Sequence, residues 1–408
     1  MTRRLYAVRG CEEGILLYPL YALLFADAGL STAQISSLFV IWSVVSFVCE
    51  VPSGAWADAW SRRRLYALGS FLIAAGYATW ILWPAYPGFA LGFVLWGVGG
   101  AMQSGTLEAL VYDELAAVGA ADTYARVTGR SGTVGILAML AATTLAAPAY
   151  ALGGYPLIGA LSVAVPVVGG CLALGFPETP HRESSDEFGG LRGYATTLAA
   201  GLREVNGSRF VARAVALAAL VPGFTALDEY LPLLSRTAGA PTALVPLLFA
   251  LPALGMAVGS ALAGRWAAIA PRRLGAMLAG AAGLLAAGAL SRHLAGMVPI
   301  AVAFGALQFA IVVSETRLQE VIGSRTRATV LSVSGFAAEV CAVLIYAGVG
   351  AGGAIAPMPV LVACCAVPLL GTALMAARWL PTHQLRPTAL SRMDSAGPVA
   401  SATDPATN

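Results

Sequence analysis

Long apolar runs separated by short polar intervals dominate the chain. Twelve such runs lie at approximately 7–27, 35–57, 65–84, 88–113, 128–149, 155–176, 210–234, 242–264, 274–291, 296–318, 328–350 and 357–379. Roughly 20 mostly apolar residues suffice to cross the hydrocarbon core of a bilayer. None of the runs alternates with the period of a barrel strand, and backbone in lipid must satisfy its own hydrogen bonds, so each is expected to be a helix. One polar interval is long, about 177–209, and it divides the runs six from six. The expected organisation is an N-terminal bundle over 1–176, a cytoplasmic central loop over 177–209, a C-terminal bundle over 210–380 and a disordered tail over 381–408. The stretch from Leu191 to Val205 could form a short helix on the membrane surface, and the tail is rich in Ala, Ser, Thr and Pro.

Composition supports lipid as the solvent. Hydrophobic residues make up 58% of the chain and charged ones only 11%, against roughly 25% charged in soluble domains. All 24 basic residues are arginine. If the N-terminus is inside, the inner loops and termini receive 22 of them and the outer loops only Arg236 and Arg292, so both termini are expected in the cytoplasm. Met1 to Arg9 is basic, as in a signal peptide, but Glu12 and Glu13 interrupt the apolar run and no small-residue cleavage site follows, so the first helix is expected to stay. A net charge of +3 gives no reason to expect nucleic acid as a partner.

The chain also repeats itself. A shift of 210 residues aligns Ala28, Gly29, Thr32 and Ala33 with Ala238, Gly239, Thr242 and Ala243, and Leu38 and Phe39 with Leu248 and Phe249. The same shift pairs Gly54, Trp56 and Ala57 with Gly264, Trp266 and Ala267, Arg62 and Arg63 with Arg272 and Arg273, and Ser104 and Thr106 with Ser314 and Thr316. One constant offset implies duplication with both copies in the same membrane orientation. Parallel six-helix repeats are one architecture of alternating access.

Between the second and third runs the chain reads Gly54-Ala-Trp-Ala-Asp58-Ala-Trp-Ser-Arg62-Arg63-Arg64. This resembles the signature loop of the major facilitator superfamily, and the twelve helices, the repeat and the inner termini extend the likeness over nearly the whole chain. The resemblance implies an all-α membrane protein, twelve transmembrane helices as two parallel six-helix bundles, moving solutes without a cofactor. Glu50-Val-Pro-Ser-Gly54 and Ser104-Gly-Thr-Leu-Glu-Ala-Leu-Val-Tyr-Asp113 are similar to a bacterial subgroup that includes drug and metabolite exporters. The sequence departs from the family pattern at Ala59, Ser61 and Ala268, in having no arginine in mid-span four, and in lacking the Gly-Pro spacing of proton antiporters in span five. As a gate, Gly54 lets helices approach, and Arg62 and Arg63 supply inner positive charge. The resemblance implies that Asp58 docks at the amides that start span eleven, around Arg327 to Val330. Asp113 is expected to pair with Arg62 or Arg63. The competing reading is that these charges only anchor topology.

An ionisable side chain near mid-bilayer costs roughly 2.5–3.5 kcal/mol on insertion scales. The acids within spans are Glu12, Glu13, Glu50, Glu108, Asp228, Glu229, Glu315 and Glu339, and spans three, six, nine and twelve carry none. In the resembled fold those four spans face lipid. Glu108 and Glu339, then Glu13 and Glu50, are candidates to carry protons or bind a cationic group, because a desolvated glutamate can titrate near neutral pH. Interhelical hydrogen bonding by a protonated acid is the alternative. Ser104, Glu108 and Asp113 are expected on one helix face. Asp228 and Glu229 are expected nearer the outer mouth beside Arg236.

No arginine lies in the middle of a span, so a neutral or cationic solute is expected over an anionic one. Trp96 lies deep enough for either the cavity wall or packing. The six cysteines lack metal-type spacing, His181, His293 and His383 lie in loops, and no phosphate-binding loop is present, so no metal is expected. The partners expected are a small-molecule substrate, protons and the lipid bilayer, with a monomer sufficient. Proton-coupled export and proton-coupled uptake both fit, and a non-transporting membrane protein fits less well.

Overall fold

The computed structural model describes residues 1–178, 196, 199, 201–203, 205, 207–322 and 327–380, with the backbone alone for 51–59 and 328. Every element among these is helical. The first half comprises α1 (Thr2–Glu13), α2 (Tyr21–Asp27), α3 (Thr32–Ala59), α4 (Arg62–Leu82), α5 (Tyr86–Gln103), α6 (Thr106–Ala117) and α7 (Tyr124–Leu174). The second comprises α8 (Arg209–Gly223), α9 (Leu231–Thr237), α10 (Val245–Trp266), α11 (Pro271–Leu290), α12 (Met297–Val321), α13 (Arg327–Gly352), α14 (Met358–Cys364) and α15 (Ala366–Trp379). By length and composition, nine helical stretches among the described residues can cross a membrane.

Several of the expected spans differ from the straight helices their hydropathy suggests. The first is two short helices separated by an unwound stretch, 14–20, and the fourth breaks after Gln103 at left-handed Gly105, φ +68°. The fifth and sixth form one continuous run of 51 residues that reverses at Gly154, where φ is +56° and ψ −154°. Its two legs return alongside α1. A Cβ on Gly10 would lie 3.8 Å from Val134 of the outgoing leg, and one on Gly169 of the returning leg 3.0 Å from Cys11. Hydropathy averages over such breaks because the unwound residues stay apolar.

The duplication is sharper in the backbone than in the side chains. α2 and α9 have equal lengths and start 210 residues apart, and the unwound stretch 14–20 corresponds to a 3-10 turn, Phe224–Tyr230. Both copies close with the same glycine cap. Gly29 has φ +89° and Gly239 +91°. In the first cap the Leu30 amide donates to the Phe25 carbonyl at 3.1 Å, and in the second the Ala240 amide donates to the Ser235 carbonyl at 3.1 Å. This bond pattern caps a helix only where the residue after it adopts a left-handed turn, which glycine does without steric cost.

The apolar core shows where the halves meet. One cluster runs through both halves, from Leu20, Phe25 and Phe39 to Leu227, Tyr230 and Leu361. Toward the arginine-rich end it gives way to two separate clusters. One, around Val8, Tyr66, Leu110 and Phe176, belongs to the first half, and the other, around Val215, Leu318 and Val330, to the second. The molecule is therefore packed across the seam at one end and parted at the other. Large apolar side chains remain on the outside, among them Leu152, Leu284, Val367 and Leu374, as a lipid-facing surface requires.

Candidate functional site

A cavity of about 840 Å³ occupies the parted region between the halves. From the first half, α1, α4, α5, α6 and α7 contribute Arg9, Glu13, Tyr77, Trp96, Glu108 and Met139 to its wall. The second half contributes Asp228, together with Phe249, Met256 and Ser260 of α10 and Phe304 and Gln308 of α12. The unwound stretch at 14–20 lies beside it. Broken backbone at membrane depth persists where it is buried in protein or lines a cavity, and here the freed amide of Leu17 donates to buried Ser162 Oγ at 2.9 Å.

The closed end is held by bonds across the seam. Arg236 donates to both carboxylate oxygens of Asp27, at 2.6 and 2.9 Å, and Tyr155 adds a third bond to Asp27 at 2.6 Å. Beneath this surface clasp Tyr21 donates to Glu229, and Ser36 shares a 2.8 Å hydrogen bond with Tyr230. Along the α3–α13 seam Ser43 donates to Glu339, and Phe47 meets Phe336 at a tilt of 42° with centroids 5.0 Å apart. Glu50 lies two turns beyond Ser43 on α3 and is exposed.

The structure distributes the sequence candidates unequally. Glu13, Glu108 and Asp228 line the cavity, and Arg9 reaches toward Glu108 at 3.9 Å while bonding Glu12 at 2.8 Å. Glu339 sits on the seam instead. Glu315 is exposed on α12 and outside the cavity. Asp228 and Glu229, expected nearer the outer mouth beside Arg236, make their contacts elsewhere. Asp228 faces the cavity, Glu229 faces Tyr21, and Asp27 takes the arginine. Ser104 and Glu108 both reach the cavity, but the three residues do not share one helix face, because the turn at Gly105 separates Ser104 from the helix that carries Glu108 and Asp113.

The signature segment also differs from a loop. α3 continues to Ala59, so Gly54 and Asp58 stand on its last turns and only Trp60 and Ser61 connect it to α4. The Asp58 side chain, and hence its docking near Arg327, lies outside the described residues. Arg62 does pair with Asp113. Arg63 bonds the Phe176 carbonyl at 2.9 Å and lies 3.3 Å from Glu178. Glu178 also accepts from Ser61 and from the Arg62 amide at 2.6 Å, which places a carboxylate on the N-terminus of α4, where the helix dipole favours it. In the second copy Arg317, only 2% exposed, turns to the Ala267 carbonyl at 2.8 Å and away from the cavity.

Sequence reading missed Asp27, Tyr18, Tyr155 and Glu178. Asp27 had a signal. It immediately precedes the repeated Ala-Gly pair, one turn position from Arg236 in the other copy, so two-fold symmetry brings the two together.

A sequence profile of the Major Facilitator Superfamily matches residues 6–346. The chain belongs to the major facilitator superfamily. No curated protein matches its sequence. Among solved structures of the superfamily's fold, the nucleoside transporter NupG superposes with a TM-score of 0.71 at 12% identity, covering 93% of this chain and 98% of that one. An unoccupied, inward-facing bacterial homologue of the human lysosomal transporter Spinster gives 0.70 at 15% identity, covering 92% and 95%. A D-xylose–proton symporter gives 0.63 at 14%, covering 93% and 97%. At these identities the likeness is one of fold. Membership of the superfamily makes the protein a multi-pass membrane transporter of small molecules and not an enzyme.

Proposed function

We propose that the protein is a secondary active transporter that moves a small neutral or cationic amphipathic solute by alternating access, driven by protons and in the direction of export. In this reading twelve spans cross the cell membrane, with residues 177–209 joining two bundles that rock about the central cavity. The arginine bias puts the arginine-rich end and both termini in the cytoplasm, so the conformation is inward-facing. One chain builds the whole cavity, so a monomer is the working unit.

The observation that carries this reading is a cavity between two duplicated halves, sealed at one end by Asp27–Arg236, Tyr21–Glu229 and Ser36–Tyr230 and parted at the other. Sealing and parting the same seam alternately is what alternating access requires. Glu13 and Glu108, in contact with the cavity, are the proton carriers proposed for substrate exchange. Glu339, bonded to Ser43 across the seam, and Glu50 beyond it on α3, are positioned to link protonation to closure. Gly54, Asp58, Arg62, Arg63 and Asp113 form the inner gate. Uptake by symport is the second reading, favoured by the missing arginine of span four and the missing Gly-Pro spacing of span five.

Purified protein in proteoliposomes, given an imposed pH gradient and a solute panel, tests the function. Glu108→Gln is expected to reduce proton-driven flux at least tenfold, with smaller losses for Glu13→Gln, Glu50→Gln and Glu339→Gln. Full activity in all four variants would end proton coupling through these acids. Gene deletion separates direction, since loss of an exporter raises cellular accumulation of its solute and loss of an importer lowers it.

A further inference from the structure

At its sealed end the cavity is an aromatic box with the Asp228 carboxylate on its wall. Tyr18 meets Phe249 edge-on at 5.8 Å and Trp96 at 6.4 Å, and Tyr77 lies 5.6 Å from Trp96. The box is built by both halves, since Tyr18, Tyr77 and Trp96 come from the first and Phe249 from the second. Asp228 occupies the position that the 210-residue repeat relates to Tyr18, so the two unwound stretches each offer one side chain to the same place. Glu229, next to it, is turned away to Tyr21. Among the described residues Arg9 is the only basic side chain on the cavity wall, and it is occupied by Glu12 and Glu108. Among the described residues no basic side chain is paired with Asp228.

A carboxylate at the end of an aromatic chamber is matched by a cation that is bulky, weakly hydrated and able to lie on ring faces. A small hydrated ion gains less from rings, and an anion meets Asp228 directly. The geometry points to Asp228, Tyr18, Tyr77, Trp96 and Phe249 as the receptor for an organic ammonium head group. The apolar remainder of the same molecule then lies along Ile136, Met139, Pro252 and Met256 of the wall, where the flexible methionines accept varied shapes. This assignment rests on the transporter reading and narrows its substrate to amphipathic amines and quaternary ammonium compounds.

The test is calorimetric titration of the purified full chain in detergent with benzyltrimethylammonium, and with benzyl alcohol and benzoate as uncharged and anionic counterparts. Saturable binding of the ammonium alone is expected. Asp228→Asn should weaken it at least tenfold and Asp228→Glu by less than threefold. Trp96→Leu should weaken it several-fold, whereas Trp96→Phe, which keeps a ring face, should hold it within twofold. Melting temperature in detergent checks that each variant is folded, and if Asp228→Asn does not fold, the Trp96 pair asks the same question. No saturable binding to the wild type, equal binding of benzyl alcohol, or indifference to both Asp228→Asn and Trp96→Leu overturns the receptor. Flux of the same ammonium into proteoliposomes separates the two claims. Binding without flux overturns transport and leaves the receptor standing, and flux that is untouched by Asp228→Asn overturns the receptor alone.

Discussion

At the spacing of the repeat, Arg9, Glu12 and Glu13 of the first half stand opposite Ala219, Pro222 and Gly223 of the second, Tyr66 opposite Ala276, and Glu108 opposite Leu318. The backbones diverge at one matching place as well. The first half breaks its fourth span at Gly105, while α12 runs through the corresponding position without interruption. The α10–α12 pair packs correspondingly closer than its counterpart α3–α5. A Cβ on Gly255 would sit 2.2 Å from the Ala301 carbonyl oxygen, and one on Gly259 2.0 Å from that of Gly305. Between helices in lipid there is little hydrophobic drive, so close backbone approach by small residues supplies the attraction. Duplication thus kept the chain path and divided the work. One half carries most of the charge on the cavity wall and the additional break at Gly105, and the other supplies a more apolar wall to which, among the described residues, Asp228 is the one acidic contribution.

The largest effect expected from this contrast is on stability. Gly259→Ala puts a methyl group against helix backbone, which cannot rotate aside, so α10 and α12 must part. The cost should reach or pass the upper end of the roughly 1–3 kcal/mol typical of overpacking. Gly97→Ala in the first half meets the Val45 side chain at 2.9 Å, a group that can turn, and should cost less than half as much. Thermal unfolding of both variants in the same detergent measures the difference. Equal losses would remove the claim that α10–α12 is the tighter of the two matching pairs.

Where the halves agree, they should respond alike. Gly29→Ala and Gly239→Ala each force a side chain into a left-handed turn, at roughly 1–2 kcal/mol. The two caps have the same angles and bonds, so the two losses should agree within about 0.5 kcal/mol, the scatter expected of independent sites. A large difference in the same unfolding assay would mean that the symmetry of the backbone does not extend to its energetics.

The features legible in the sequence were those that period and spacing record. The apolar spans and the 210-residue repeat follow from the pattern along the chain, and Asp113 was expected beside Arg62 or Arg63. Helix breaks were not legible, because Gly14 to Leu20 are as apolar as the helices around them and the two acids within Phe224 to Tyr230, Asp228 and Glu229, read as charges buried in a continuous span. Pro19, the Pro222-Gly223 pair and the Ser104-Gly105 pair carried a weak signal, since proline and glycine punctuate helices. Those breaks decide the site, for they turn Tyr18 and Asp228 into the same cavity. Glu178 was hidden for a different reason. It reads as the first charge of a loop, and only the return of α7 to the start of α4 makes it a cap.

The smallest expected effect concerns the seam itself and the balance between its two ends. The Asp27–Arg236 pair is bidentate but sits at the surface, with side chains 40% and 31% exposed, and exposed pairs contribute about 0–1 kcal/mol. Because the partners belong to different halves, whatever the pair contributes is lost when that end opens, so it acts wholly on the equilibrium between conformations. Asp27→Asn should therefore raise the population open at the Asp27 end by up to about fivefold, and high salt should do the same to the wild type. Spin labels at the exposed positions Ser31 and Thr237 would report this as a longer distance in pulsed electron resonance. The exchange Asp27→Arg with Arg236→Asp should restore the original distribution, since attraction across the seam is recovered with its sign pattern reversed. Tyr230→Phe removes instead the buried bond to Ser36, where an unmade hydrogen bond costs about 1–3 kcal/mol, and should open the same end further. If Asp27→Asn moves the labels and Tyr230→Phe does not, the seal is made at the surface and the buried layer beneath it is only packing.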